Sequence, residues 1–197
     1  MRPDPKARPE YVEAFREIAA RIAAVIVGVP AAALPIRMYV AGGAALHFYT
    51  GERVSKDIDA VFSRRIALPD KLEVAYRDAD GVAQLLYFDH QYSDALALMH
   101  EDAQEDSVPL SLTGIDARKL DIRLLSPLDL AVSKLSRFSD QDRDDIITLA
   151  RRKLIKATAL RIRAEQALGG YIGSTDRIQG NIAQALRIVE DTLRRHS

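Results

Sequence analysis

Residues 36–62 read I-R-M-Y-V-A-G-G-A-A-L-H-F-Y-T-G-E-R-V-S-K-D-I-D-A-V-F, and the succession of textures in this stretch decides the fold. The segment I-R-M-Y-V-A (36–41) ends at Gly42-Gly43 and reads as a short strand. A-A-L-H-F-Y (44–49) suits a short helix, and D-I-D-A-V-F (57–62) reads as a second strand entered from a polar loop. A glycine pair at a strand-to-helix turn lets the backbone approach a ligand closely, and the free amides of the helix start favour a phosphate. In a strand, alternate side chains share a face. Asp57 and Asp59 then project together, with Cα atoms roughly 6.5–7 Å apart, while Ile58 points into the core. Such a pair suits a hard cation such as Mg²⁺ with room left for phosphate oxygens. Taken alone, the same residues also allow a plain tight turn beside an acidic surface loop.

Working outward, Pro9 stands where a first helical residue often does. Tyr11, Phe15, Ile18, Ile22, Val25 and Ile26 follow at helical spacing, predicting an amphipathic helix over 9–27 that ends at Gly28-Val29-Pro30. Between 66 and 125 the strand-like runs are L-E-V-A-Y, V-A-Q-L-L-Y-F and K-L-D-I-R-L-L, while A-L-A-L-M-H (95–100) is ambiguous between strand and helix. After Leu125 the texture turns helical. Ser126-Pro127 with Asp129, and Ser139 with Asp142, are capping-box patterns, and Leu128, Val132, Leu135 and Phe138 make the first apolar stripe. Gly169-Gly170 breaks the helical run, and Ser174 is the expected cap of a last helix. The fold class is therefore α+β. Residues 1–125 form a mixed sheet with flanking helices, and residues 126–197 a C-terminal helical region.

Composition excludes several chemistries. No cysteine is present, so disulfides, thiolate zinc sites and thiol nucleophiles are ruled out. No apolar run approaches the roughly 20 residues of a membrane span, and the N-terminus lacks a secretion signal's apolar core, so a cytoplasmic protein without membrane contact is expected. The four histidines, His47, His90, His100 and His196, have no ligand spacing and read as packing or surface residues. There is no G-x-x-x-x-G-K, G-x-G-x-x-G or G-x-S-x-G motif to give the glycine pair another meaning. Net charge is zero, but from Ser126 on there are 13 Lys and Arg against 9 Asp and Glu. Residues 151–163 hold six basic residues and no acid. That stretch reads either as a solvated helix face or as a track for a polyanion, with Arg152, Lys156 and Arg163 sharing one face.

The glycine pair, S-x-D-x-D at 55–59, and S-P-L-D-L-A-V-S-K-L-S-R-F-S-D-Q-D-R-D-D-I at 126–146 together resemble the nucleotidyltransferase superfamily that includes DNA polymerase beta, and more closely its AbiEii and MenT type members. The resemblance spans roughly residues 36–150. It implies Gly42 and Gly43 at the triphosphate of an NTP, Ser55 near the same phosphates, Asp57 and Asp59 on Mg²⁺, and Lys134 on a phosphate. Asp142 and Asp145 match the family's D-x-x-D segment. Asp142 is equally explained as the reciprocal acid of the Ser139 cap, and both as complements to a helix dipole. A third carboxylate for catalysis and metal is expected at Asp121, with Asp89 the alternative.

The implied activity is Mg²⁺-dependent transfer of a nucleoside monophosphate to a hydroxyl. The resemblance extends to a tRNA 3′ end as acceptor and to the toxin half of a toxin–antitoxin pair, with an antitoxin protein as partner. Two other readings remain open. One is a non-catalytic nucleotide-binding module of the same fold. The other is an interaction protein in which the acidic pair is only a turn.

Overall fold

The computed structural model describes residues 1, 3–93 and 97–196. The chain divides into two compact units, one of residues 1–92 and 107–124, the other of 93–106 and 125–197. The division expected at residue 125 is therefore incomplete, because Ser93–Asp106 leaves the α/β part and joins the helical one.

The first unit is built on two small sheets. Helix α1 (Pro9–Val25) precedes β1 (Ile36–Val40), α2 (Gly42–Thr50), β2 (Asp57–Ile58), β3 (Ala60–Phe62), β4 (Glu73–Arg77), β5 (Ala83–Phe88), β6 (Val108–Pro109) and β7 (Leu120–Leu124). One sheet has the order β3-β1-β7-β6, with β1 and β7 parallel and the outer pairs antiparallel. The other has the order β2-β5-β4, with β2 and β5 parallel. The stretch read as one strand over 57–62 thus crosses between sheets: β2 pairs with β5, and after Asp59 the chain continues as β3 against β1. The α+β class and its mixed sheets agree with the sequence reading.

On α1 the buried residues are Tyr11, Ala14, Phe15, Ile18, Ala19 and Ile22, the three- and four-residue spacing of one helix face. That face packs on β4 and β5, and Phe15 meets Phe48 of α2 edge-on at 4.8 Å. The helix stops two residues earlier than expected. Val25 is exposed, and Ile26 is buried from a 3₁₀ turn over Ile26–Gly28.

The second unit carries α3 (Pro127–Ser133), α4 (Asp140–Arg151), α5 (Ala157–Gly169) and α6 (Asp176–Arg195). Leu135 and Phe138, expected on the α3 stripe, are buried but lie past its end, and Phe138 turns the chain with φ 54°. Arg177 and Asn181 of α6 donate to the carbonyls of Ser136 and Leu135 in this connection. Ser126 caps α3 by accepting from the Asp129 amide, but the Asp129 carboxylate accepts from the Ser126 hydroxyl and from Arg163 and not from the Ser126 amide, so only one arm of the expected capping box forms. Thr175, not Ser174, is the N-cap of α6 and makes no side-chain cap bond. In the ambiguous stretch 95–100, Ala95 and Leu96 lie outside the described residues, and Leu98–His100 form neither strand nor helix. Among the described residues no helix is long and apolar enough to cross a membrane.

Candidate functional site

The strand-to-helix turn is built as its residues demand. Strand β1 ends at Val40, Ala41 is the N-cap, and α2 begins at Gly42 with no side-chain cap bond to its first amides. Gly42 has φ +57°, and a Cβ there would lie 2.0 Å from Asp59 Oδ2. A Cβ at Gly43 would lie 2.8 Å from Ser55 Cβ and 2.9 Å from its Oγ. Only glycine fits either position, because side chains of the S-x-D-x-D segment press directly on the turn. The Ala41 amide donates to the Asp59 carbonyl at 2.8 Å, continuing the β1–β3 ladder one step and fixing Asp59 beside the helix start. Ser55 Oγ donates to Asp57 Oδ1 in a short bond. Asp57 and Asp59 are half-buried while Ile58 and Ala60 are buried, so the alternation holds even though the segment changes sheets. Gly42, Gly43, Ser55 and Asp59 therefore meet at the N-terminus of α2, and Asp57 is tied to the group through Ser55. The orphan amides and positive end of a helix meet two carboxylates there.

Two buried residues that motif spacing does not reveal support this turn. His47 on α2 is fully buried; its Nε2 accepts from the Arg8 amide at 3.0 Å, and its Nδ1 lies 2.6 Å from the Glu52 carbonyl. An amide can only donate, so Nε2 is bare, the proton sits on Nδ1 and the ring is neutral. Burial lowers its pKa, with the Glu52 and Arg53 carbonyls pulling more weakly the other way. The ring thereby holds the loop that delivers Ser55. Tyr11 of α1 stacks edge-on against His47 at 4.7 Å. Its hydroxyl is buried with no hydrogen-bond partner among the described residues. Burial first, then Tyr76, then the Asp57 and Asp59 carboxylates push its pKa far up, against a smaller opposing effect of Arg53.

Asp121 is not brought to the pair. It is level with Arg37 across β1–β7, whereas Asp59 is level with Ala41, a separation of roughly 13 Å along the strand at about 3.3 Å per residue. It instead ion-pairs with Arg123 at 3.2 Å and Arg37 at 3.8 Å. Asp89 follows β5, donates its amide to the Ile58 carbonyl at 3.1 Å, and accepts the Gln91 amide on its carboxylate at 2.8 Å. Among the described residues no group of three or more His, Asp or Glu side chains is disposed to hold a metal ion.

In the helical unit Lys134, Asp142 and Asp145 do converge. Lys134, the C-cap of α3, is buried, with Nζ 2.5 Å from Asp145 and 3.7 Å from Asp142. Asp142 completes the capping box with Ser139 and takes both arms of Arg137 at 2.8 Å. Burial would raise its pKa, but the Arg137 guanidinium and the Ser139 hydroxyl and amide outweigh it and hold the group at about 2. The expected phosphate-binding lysine is thus already neutralised by the two aspartates that follow it. Residues 151–163 do not form one helix face either. Helix α4 ends at Arg151 and α5 begins at Ala157, and Arg163 is engaged with Asp129 at 2.7 Å and Asp106 at 2.8 Å.

A family model described as "Nucleotidyltransferase of unknown function (DUF6036)" matches residues 13–180. The chain belongs to this nucleotidyltransferase family. The match begins inside α1, ends inside α6, and contains both the glycine–aspartate turn and the Lys134 cluster. No curated protein and no solved structure matches this nucleotidyltransferase.

Proposed function

We propose that the protein transfers a nucleoside monophosphate from an NTP to an acceptor hydroxyl, with the triphosphate at the N-terminus of α2 and Asp57 and Asp59 as the metal-binding pair. The observation that carries this reading is the contact between Gly42 and Asp59. It unites an anion-binding helix start with a carboxylate at a distance no side chain could share. The donor set suits Mg²⁺, which commonly takes one or two carboxylates, several waters and the substrate's own phosphates. When bound, that ion neutralises the triphosphate and the departing pyrophosphate. The chain's residues do the rest: the Gly42 and Gly43 amides orient the phosphates, and Ser55 holds the Asp57 carboxylate in place. The acceptor hydroxyl loses its proton to water and its oxygen bonds to the α-phosphorus as the α-phosphorus bond to the bridging oxygen breaks and pyrophosphate leaves. The catalytic power asked of the protein is positioning and charge neutralisation.

The resemblance to AbiEii and MenT enzymes nominates an RNA 3′ end, tRNA in particular, as acceptor and an antitoxin as partner. The basic stretch at 151–163 adds nothing to that choice, since it is broken between α4 and α5 and its last arginine, Arg163, is spent on Asp106 and Asp129. A second reading, nucleotide binding without turnover, is favoured by one observation: no third carboxylate joins Asp57 and Asp59 among the described residues. Incubation with Mg²⁺, each α-labelled NTP and total RNA separates the two. Label in RNA that disappears with EDTA and in both Asp57→Ala and Asp59→Ala supports transfer. NTP binding with no transfer to RNA, protein or small hydroxyl acceptors supports the second reading. Absence of NTP binding overturns both.

A further inference from the structure

One residue beyond Asp59 the chain enters the wall of a cavity of about 380 Å³. Phe62 of β3 and Phe88 of β5 both line it, their rings in tilted contact with centroids 5.8 Å apart and planes 30° from parallel, and His90, also on the lining, meets Phe88 edge-on at 5.5 Å. Phe88 is buried, whereas Phe62 is half-exposed and His90 exposed. Arg64 and Arg65 line the same cavity. Both are exposed, and neither is paired with an acid among the described residues. Asp89, also on its lining, uses one oxygen for the Gln91 amide and keeps the other as an acceptor.

Each feature specifies part of a ligand. Aromatic faces that reach solvent suit a planar ring. Two arginines on one lining, neither ion-paired, suit a phosphate, which Arg binds through a planar fork. A spare carboxylate oxygen suits a sugar hydroxyl or an exocyclic amine. The volume lies near the lower end of small-molecule sites, enough for one unit and not an extended chain. The Asp89 amide bonds the Ile58 carbonyl at 3.1 Å, so this pocket adjoins the strand that carries the carboxylate pair.

We infer that the cavity holds one nucleotide unit, its base against Phe62 and His90 and its phosphate on Arg64 and Arg65. The ligand class rests on the nucleotidyl-transfer reading, whereas the geometry stands without it. The unit is the terminal nucleotide of an acceptor: the phosphates of the NTP are already assigned to the N-terminus of α2, level with Asp59, whereas Ser63, just before the two arginines, is level with Arg37, roughly 13 Å away along the strand at about 3.3 Å per residue.

The test is calorimetric titration of the full-length protein with nucleoside 5′-monophosphates in EDTA, in wild type and in an Asp57→Ala/Asp59→Ala double variant. Binding is expected in both. Arg64→Ala/Arg65→Ala, two exposed substitutions that leave the fold intact, and separately Phe62→Ala, should each weaken it at least tenfold. Ribose 5-phosphate, which carries the phosphate without the base, should also bind at least tenfold more weakly. No monophosphate binding, binding unchanged in these variants, or equal affinity for ribose 5-phosphate overturns the inference. With Mg²⁺ restored, the monophosphate and the NTP should bind simultaneously, and displacement of one by the other overturns the assignment of the cavity to the acceptor. Label transfer without monophosphate binding would sink the cavity and spare the transfer reading. Monophosphate binding without transfer would do the reverse.

Discussion

A methyl group at Gly42 would sit 2.0 Å from the Asp59 carboxylate oxygen, on a backbone with φ +57°. Gly42→Ala therefore combines left-handed strain, about 1–3 kcal/mol, with displacement of the acid. Urea denaturation should show a loss of that order, and label transfer should fall at least a hundredfold. If Asp59 has no part in the reaction, the variant will lose stability and keep its specific activity. Tyr11 makes the opposite case. Its hydroxyl is buried without a hydrogen-bond partner among the described residues, a state that costs about 1–3 kcal/mol. Tyr11→Phe deletes that oxygen and keeps the ring that packs on His47 and Phe48. Its urea midpoint should equal or exceed wild type. A clear drop would mean that the hydroxyl has a bonding partner in solution.

Between elements, two side chains carry much of the organisation. His47 joins α2 to the start of α1 through the Arg8 amide, and to the following loop through the Glu52 carbonyl. Its folded pKa is depressed, chiefly by burial, so the unfolded chain takes up the proton more readily. The stability it confers is complete above the unfolded value of about 6.5 and is lost as pH falls from there through the folded value. Urea midpoints should drop between pH 7.5 and 5.5, and His47→Gln should be less stable at pH 7.5 with a smaller drop. In the helical unit Arg163 of α5 grips Asp129 of α3 through Nε at 2.7 Å and Nη2 at 3.0 Å. Asp129 is 1% exposed, and removing its partner leaves a buried charge. Arg163→Ala should cost about 3–5 kcal/mol by chemical denaturation, with Arg163→Lys intermediate because a single ammonium replaces the two-armed contact. A loss below 1 kcal/mol would return this arginine to the solvent-facing role its sequence neighbourhood suggests.

For the molecule as a whole, periodic signals were legible and long-range ones were not. The α1 stripe, the strand ending at Gly42-Gly43 and the Ser139–Asp142 cap follow from local spacing, and the alternation of Asp57 and Asp59 around Ile58 persists in the burial. Alternation does not say which sheet a residue joins, so the switch at Asp59 was invisible. Nor could the basic run 151–163 disclose that Arg163 answers acids 34 and 57 positions back. The same blindness hid the make-up of the second unit. Ser93–Asp106 belongs with the helices: Leu98 and Ala103 are buried, Asp106 pairs with Arg163, and His100 and Gln104 share a cavity with Gln166 and Gly169 of α5. Cutting at the apparent boundary would remove these contacts, exposing apolar surface and taking one of its two acidic partners from the Arg163 guanidinium. Residues 125–197 alone should therefore melt broadly by circular dichroism, whereas 93–106 joined to 125–197 by a short Gly/Ser linker should show a sharper transition at higher temperature. Equal cooperativity in the two fragments would mean that the helices fold as a unit without the inserted segment.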